Sequence, residues 1–597
     1  MCCVAMQHAR ERGLKRMEGL VLALNATKTA QGLTKAEEKR MLDWLKQFGG
    51  KPDHPLRDAD AAKEVLAGLP EGVSVDTLEQ LSHWVGSVKD TPGFACDDRL
   101  AVMRLLDEAA AVHAEPLFNQ FFSKIQQQDR TTPKIWDALC EYWGRLAEGY
   151  AQCVADFEHG EKGANSVEDQ MPLALARALR AASLRFKLRY LRFVGIDAKA
   201  WAPLYRMYAF AELKQFDNVP VVAYAREVHT TARAELQKIL LLYLGAPHEF
   251  PPGQLELAFR ILARFAISAE WSRVPQAECN FVIDLGAGGP PFHMRAKETA
   301  GANKRFIGGG QALAKLNELR LLSEKNMLSE ELRFGPEFSP AQIITVIKHL
   351  DVYLGLEPPH RHYARAKAAI HLNVVHGLKP ICQRVTKIEL GSGMSLGEDM
   401  DIKAKTANIM KLVEEEIEST PEIWELVEEE IESTPEIWAQ KDRSEWGLGA
   451  EIPPDLGKWA EPGKLCGIQP RGEKAWWVGI IRRMDAGKGL HCGIRIFSKR
   501  PVSVWLRVLG AGEHQAANWE TSTGSFTYNY LRAIMLPDAL KSHDHPVMIF
   551  ENKTYVPGQL CEVMMGEHSR HLKLVEFLEE GEDYVRAAIE WQQPGKG

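Results

Sequence analysis

The spacing of apolar residues changes once along this 597-residue chain, and that change limits the fold more than any single motif. Up to about residue 275, apolar positions recur every three or four residues, the period of an amphipathic helix. Residues 173–193 show it best, with apolar and basic side chains interleaved at helical spacing. The basic face of that segment reads as solvated. Residues 202–215, 230–244 and 254–265 predict further helices, with a stop at Pro251-Pro252-Gly253. Breaks at Gly49-Gly50, Pro92-Gly93 and 160–163 divide this part into bundles, and no fixed repeat period marks a solenoid. From about 357 onward the runs are short, β-branched or aromatic, and bounded by Gly, Pro or Asp. Strands are predicted at 370–375, 381–387, 475–482, 491–497, 502–508, 531–536, 547–550, 560–565 and 572–577. That is the pattern of a barrel or sandwich.

The expected fold is therefore multidomain α + β. An all-α region spans 1–275 and a mixed α/β linker domain spans 276–356, with strands at 281–285 and 305–307 and helices at 311–324 and 340–353. An antiparallel β-barrel spans 357–500 and carries a helical insertion at 388–440. Residues 501–597 form a second small β domain or a barrel extension, and 531–577 is the candidate second barrel. The length agrees with about three or four domains.

Composition narrows the function. With 45% hydrophobic and 26% charged residues the chain is neither collagenous nor disordered. No run approaches the ~18 apolar residues of a membrane span. The N-terminal residues lack the apolar core of a signal peptide. Ten scattered cysteines without a C-x-x-C pair fit a reducing compartment, so a cytoplasmic location is expected. The net charge of −7 is local: residues 411–438 hold 11 Glu and one Lys, which leaves the rest near +3. With no basic tail, nucleic acid is not an expected partner.

That acidic stretch is an identical tandem copy. LVEEEIESTPEIW occupies 412–424 and again 426–438. Each Ser-Thr-Pro-Glu sets a capping hydroxyl before a proline at a first helical position. A repeat close to four turns places Ile417, Ile423, Trp424, Val427 and Ile431 on one face. The expectation is an amphipathic acidic helix decorating the barrel, solvated or docking a partner.

Two short motifs carry binding chemistry. Arg361-His-Tyr-Ala-Arg365 is an R-x-x-x-R before the strand-like 368–375, and Asp442-Arg-Ser444-Glu-Trp-Gly447 is a D-x-S-x-x-G. The pair suits an anionic guanine nucleotide. Arginine forks donate to phosphate oxygens or guanine O6 and N7, and their planes stack on bases. Asp442 can accept from the guanine N1–H and N2–H₂ edge. Ser444 adds a short donor or acceptor, and Gly447 lets backbone approach the ligand.

In this order, the motifs resemble the PilZ family of cyclic di-GMP receptors. Their β-barrel carries R-x-x-x-R near its start and (D/N)-x-S-x-x-G on an early strand turn. Residues 476–483 and 492–496 resemble the later barrel strands, and the likeness covers about 358–500. It implies that Arg361 and Arg365 wrap the dinucleotide phosphates and guanine faces, while Asp442, Ser444 and Gly447 hold a guanine edge. It implies a non-enzymatic bacterial receptor with cyclic di-GMP as ligand and neither cofactor nor metal. A protein partner would engage the helical N-terminal region. One departure is the separation of Arg365 from Asp442, most of which the insertion supplies. Its charge would weaken the binding of an anion nearby. A ligand-free PilZ-like structural adaptor is the alternative within this architecture.

A rival lies at FVIDLGAGGPP, residues 281–291, which resembles the first motif of S-adenosylmethionine-dependent methyltransferases, with Asp284, Gly286 and Gly288 around the cofactor. Pro290-Pro291 stand where the following helix should start, and the next strand ends without an acidic residue. The G-K-[ST] ending of a phosphate-binding loop does not occur. His543-Asp544-His545, and His360 and His362 beside Arg361, read as exposed loop residues.

Overall fold

The structure, a computed structural model, describes residues 52–127, 133–225, 227–295, 297–359, 364–392, 433–509, 530–538, 545–551, 555–565, 568–581 and 583–592. It divides into two compact units, residues 1–117 with 144–178, and residues 118–143 with 179–597. Among the described residues, no helix is long and apolar enough to cross a membrane.

The first unit is helical. Helix Val75–Asp90 starts at Ser74, whose hydroxyl caps the Thr77 amide, and buries Leu78, Leu81 and Val85 along one stripe. Gly149 lets helix Pro133–Glu158 lie against it and against Met103, because a Cβ there would sit 2.7 Å from the Met103 sulfur. Asp107, fully buried, accepts from the Tyr150 hydroxyl at 2.7 Å and from Arg177 at 3.2 Å.

The second unit begins with more helices and ends in barrels. Lys187 of helix Met171–Leu191 is buried against Glu256 at 2.9 Å, its ammonium 3.9 Å from the Phe118 ring centroid. Together with Arg177, this overturns the solvated reading of the helix's basic face. Carboxylates on neighbouring helices satisfy these cations, which no single-helix pattern reveals. The helix stops at Phe193, a non-glycine residue in the left-handed region with φ 59°. Its amide donates to Tyr190 and the Val194 amide to Arg189, the two bonds of a Schellman end that usually carries glycine. The ring explains the choice, because Phe193 is buried in the core of the first barrel.

Four strands follow: β1 Glu270–Ser272, β2 Phe281–Asp284, β3 Phe292–His293 and β4 Lys304–Gly308. They form one sheet in the order β1-β4-β2-β3, with every pairing antiparallel. Helices Gly310–Glu324 and Pro340–Leu354 come next.

The first barrel is built from β6 His371–His376, β7 Glu436–Arg443, β8 Gly447–Ile452, β9 Leu465–Pro470, β10 Trp477–Ala486 and β11 Leu490–Ser498. Hydrogen-bonded order runs β7-β6-β9-β10-β11-β8 and returns to β7, closing six strands, with a two-residue β5, Ala366–Lys367, added on β7. A second closed barrel follows from β12 Val502–Val508, β13 Tyr530–Leu536, β14 Val547–Phe550, β15 Leu560–Met565, β16 His568–Glu580 and β17 Val585–Trp591. The C-terminal region therefore holds two barrels, and the second begins some thirty residues before the expected 531.

Two expected elements change type. Residues 381–387 were expected as a strand but lie in helix Leu378–Ser392. Leu378, Ile381, Cys382 and Val385 recur at helical spacing and are buried in a core shared with both barrels. The repeated segment also ends differently. Positions 411–432, with Ile417, Ile423, Trp424, Val427 and Ile431, lie outside the described residues. The second copy's Glu436-Ile437-Trp438 is the start of β7, not a helix, so the insertion does not reach 440. Trp438 is fully buried and Gln440 is buried, whereas Ile437 before them and Lys441 after them are exposed: the alternation of a strand with one face inward. Glu436 accepts from the indoles of Trp438 at 2.8 Å and Trp459 at 2.9 Å and from the Gly457 amide at 2.9 Å. The two indoles stack 5.4 Å apart.

The helical part meets the first barrel through the end of β10. The Ala486 amide donates to the Phe193 carbonyl at 2.8 Å. Nearby, His349 of helix Pro340–Leu354 donates from Nε2 to the Gly245 carbonyl at 2.9 Å and packs 4.0 Å from the Phe250 ring. Burial pushes its pKa down to about 4. The folded chain therefore holds His349 neutral where the unfolded chain, near 6.5, has taken up a proton. Its stabilising contribution is complete above pH 6.5 and is lost as pH falls towards 4. Denaturant midpoints at pH 7 and pH 4.5 should differ by on the order of 2–3 kcal/mol from this group, and His349→Gln should remove that part of the slope.

Candidate functional site

Arg365 precedes β5 by one residue. β5 pairs with β7 in the register Ala366↔Arg443 and Lys367↔Asp442, which brings the end of the R-x-x-x-R segment to the D-x-S-x-x-G turn. Two further backbone bonds continue the match: the Ala368 amide to the Lys441 carbonyl at 3.0 Å, and the Gln440 amide to the Ile370 carbonyl at 2.8 Å. Across 77 residues, Arg365 Nη1 donates to Asp442 Oδ1 at 2.7 Å. Both side chains keep partial access to solvent. Arg361 lies outside the described residues.

The turn itself is a tight β7–β8 hairpin. The Ser444 amide donates to the Gly447 carbonyl at 2.7 Å and the Ser444 hydroxyl to the same oxygen at 3.2 Å. Gly447 is buried, and a Cβ there would come 3.1 Å from that hydroxyl. The register of β7 against β8 shifts between Gln440 and Asp442, a bulge that re-aims the strand at the motif. Opposite it, Gly449 leaves the space that the Asp442 carboxylate fills, since a Cβ would lie 2.8 Å from Oδ1. Gly449→Val should therefore displace the carboxylate, break the Arg365 pair and weaken ligand binding about tenfold, with β8 retained. Titration alongside circular dichroism checks both parts.

Cations and indoles surround the corner. Arg443 lies 4.6 Å from the Trp477 ring and pairs with Glu473 at 3.6 Å. Lys499 lies 5.1 Å from Trp446 and 5.5 Å from Trp477. Burial, reinforced by Arg443, lowers the Lys499 pKa. Lys441 pairs with Glu451. Most of these cations are ion-paired, so the corner's offer to a flat, anionic ligand is the pair of indoles with Lys499 over both. Sequence reasoning missed Arg443, Trp477 and Lys499. Arg443 was visible inside the motif, whereas Lys499 is reached only through the β10–β11 fold.

The rival motif has a different geometry. Asp284 Oδ1 accepts from the amides of Gly286 at 2.9 Å and Ala287 at 3.1 Å, which closes its own turn. Gly288 takes φ 67° and leaves no room for a Cβ beside Ala202. Because β2 is antiparallel to both neighbours, the parallel strand–helix–strand unit of a cofactor-binding fold is not formed here. The methyltransferase reading is thereby corrected. A cavity of about 550 Å³ opens among Glu212, Asp217, Arg233 and Trp271, residues outside both motifs. His543 and Asp544 lie outside the described residues, among which no metal-ligating group of three or more occurs.

Comparison with known families adds an independent finding. Residues 60–276 match the family described as "Cyclic-di-GMP receptor FimW, N-terminal domain". The helical part of this chain is thus similar to the N-terminal domain of a cyclic di-GMP receptor. The match ends at residue 276, between β1 and β2 of the four-stranded antiparallel sheet, and covers neither barrel. No curated protein and no solved structure matches the chain.

Proposed function

We propose that this chain is a non-enzymatic cytoplasmic receptor for cyclic di-GMP, binding the dinucleotide on a PilZ-like first barrel. The observation that carries the reading is the meeting of Arg365 with Asp442, Ser444 and Gly447 at one corner of a closed six-stranded barrel. The match of the helical part to a receptor for the same ligand supports it. Arg365 donates to Asp442 at this corner. A guanine edge offering N1–H and N2–H₂ would take over the carboxylate. The released guanidinium, with Arg361, would then turn to phosphate or to the base face.

The route to the helical part is short. Gly447 pairs with Arg495 on β11, β11 pairs with β10, and the end of β10 holds the Phe193 carbonyl. Ordering the corner would bias how that hairpin holds helix Met171–Leu191, and a partner of the helical part would read the bias. A ligand achieves this only by preferring one arrangement over another.

Calorimetric titration of cyclic di-GMP into the full chain tests the binding. Micromolar or tighter affinity is expected, and no heat from a folded protein would leave a ligand-free adaptor. Scattering profiles with and without saturating ligand test the relay, which fails if they superimpose.

A further inference from the structure

Two arginines, one from each barrel, share one carboxylate, and a third stands beside them over the Phe497 ring. Arg482 lies on β10, Arg495 on β11 and Arg586 on β17, and Glu579 lies on β16. Glu579 Oε1 accepts from Arg482 Nη1 at 3.1 Å, and Oε2 lies 3.0 Å from Arg586 Nη2. Arg495 has no carboxylate at ion-pair distance among the described residues. It lies over the Phe497 ring at 5.9 Å, and Arg586 lies over the same ring at 4.6 Å. Tyr584 meets that ring edge-on at 6.3 Å.

Charge and hydrogen bonding are both incomplete here. Three guanidiniums face one carboxylate, which leaves a surplus of two positive charges. Neighbouring protein atoms partly desolvate the Arg495 guanidinium and lower its pKa, and the charges of Arg586 and Arg482 lower it further against the pull of Glu579. Arg586 Nε and the Tyr584 hydroxyl are buried and make no hydrogen bond. Buried donors are almost always paired, so an unpaired set beside surplus charge marks a place for an acceptor. Arg482 and Arg495 are exposed, which leaves the cluster open to solvent.

We propose that this junction between the barrels is an anion site for a phosphate group, held by Arg482, Arg495 and Arg586 while Glu579 keeps two of the guanidiniums in position. Planar guanidiniums match phosphate oxygens in both geometry and charge. A bound phosphate would draw β10 and β11 of one barrel towards β16 and β17 of the other. Arg495 stands opposite Gly447 in the β8–β11 register, so the junction borders the motif corner. The phosphate can accordingly be a free anion or a phosphodiester of a dinucleotide reaching across from that corner.

The probe is inorganic phosphate, titrated into the full chain at matched ionic strength against chloride. Saturable binding is expected. Arg495→Gln and Arg482→Gln, at exposed positions that leave both barrels folded, should each weaken it about tenfold. Arg495→Lys should recover part of the loss. Repeating the titration with cyclic di-GMP at saturation separates the two sources: unchanged phosphate affinity identifies a free anion, and abolished binding identifies the dinucleotide's phosphodiester. Absence of saturable binding to the wild type, or binding that both glutamine variants leave unchanged, overturns the proposal.

Discussion

Replacing both arginines of the R-x-x-x-R segment, Arg361→Ala/Arg365→Ala, should weaken cyclic di-GMP binding at least a hundredfold. Each guanidinium supplies charge-assisted contacts worth roughly 1.5–3 kcal/mol, and about 1.4 kcal/mol corresponds to a factor of ten. The ion pair between Arg365 and Asp442 sharpens this expectation. In the double variant Asp442 is free to take a guanine edge without first releasing its partner, so part of the loss is recovered there. A loss well beyond a hundredfold would mean that the arginines carry nearly all the affinity. A loss below tenfold would place the ligand elsewhere. Arg365 keeps partial access to solvent ahead of β5, so Arg365→Ala alone should move the melting temperature by no more than a few degrees.

Trp438→Ala should have the largest effect on stability, costing about 3–5 kcal/mol in chemical denaturation of the barrel region. The indole is fully buried, stacks on Trp459 and donates to Glu436. Its removal leaves a cavity and also deprives Glu436 of one of its three donors. Because β7 carries Asp442 at its other end, a loosened start of the strand should also weaken ligand binding, even where the fold survives. Trp438→Phe keeps an aromatic ring, though a smaller one and without the indole N–H, and should cost less. If both variants unfold at the wild-type midpoint, Trp438 does not hold the barrel as described.

The parts of the fold legible in the sequence were those where one period dominates. Helical spacing marked the four helices between Met171 and Phe265 to within a few residues, and strands such as Val502–Val508 and Val547–Phe550 were bounded correctly by their β-branched runs. Strand β7 was hidden because its first three residues repeat a segment that reads as an acidic helix, and only the alternation of Trp438 and Gln440 with Ile437 and Lys441 betrays it. Helix Leu378–Ser392 was missed because its Ile and Val content resembles a strand, although its spacing is helical. The burial of Lys187 was not legible at all, since its partner Glu256 lies on another helix. At the site, the motif residues Arg365, Asp442, Ser444 and Gly447 were readable as letters, whereas their proximity depends on β5 lying against β7. Gly449 and Lys499 acquire meaning only from three-dimensional neighbours: a carboxylate in one case, two indoles in the other.

Amide hydrogen exchange of the full chain with and without saturating cyclic di-GMP tests the location of the site most directly. The expected result is slowed exchange at residues 364–367 and 442–447, the two segments that the β5–β7 pairing joins. Binding accompanied by protection only in other regions, with these two segments unchanged, would contradict a site at the Arg365–Asp442 corner.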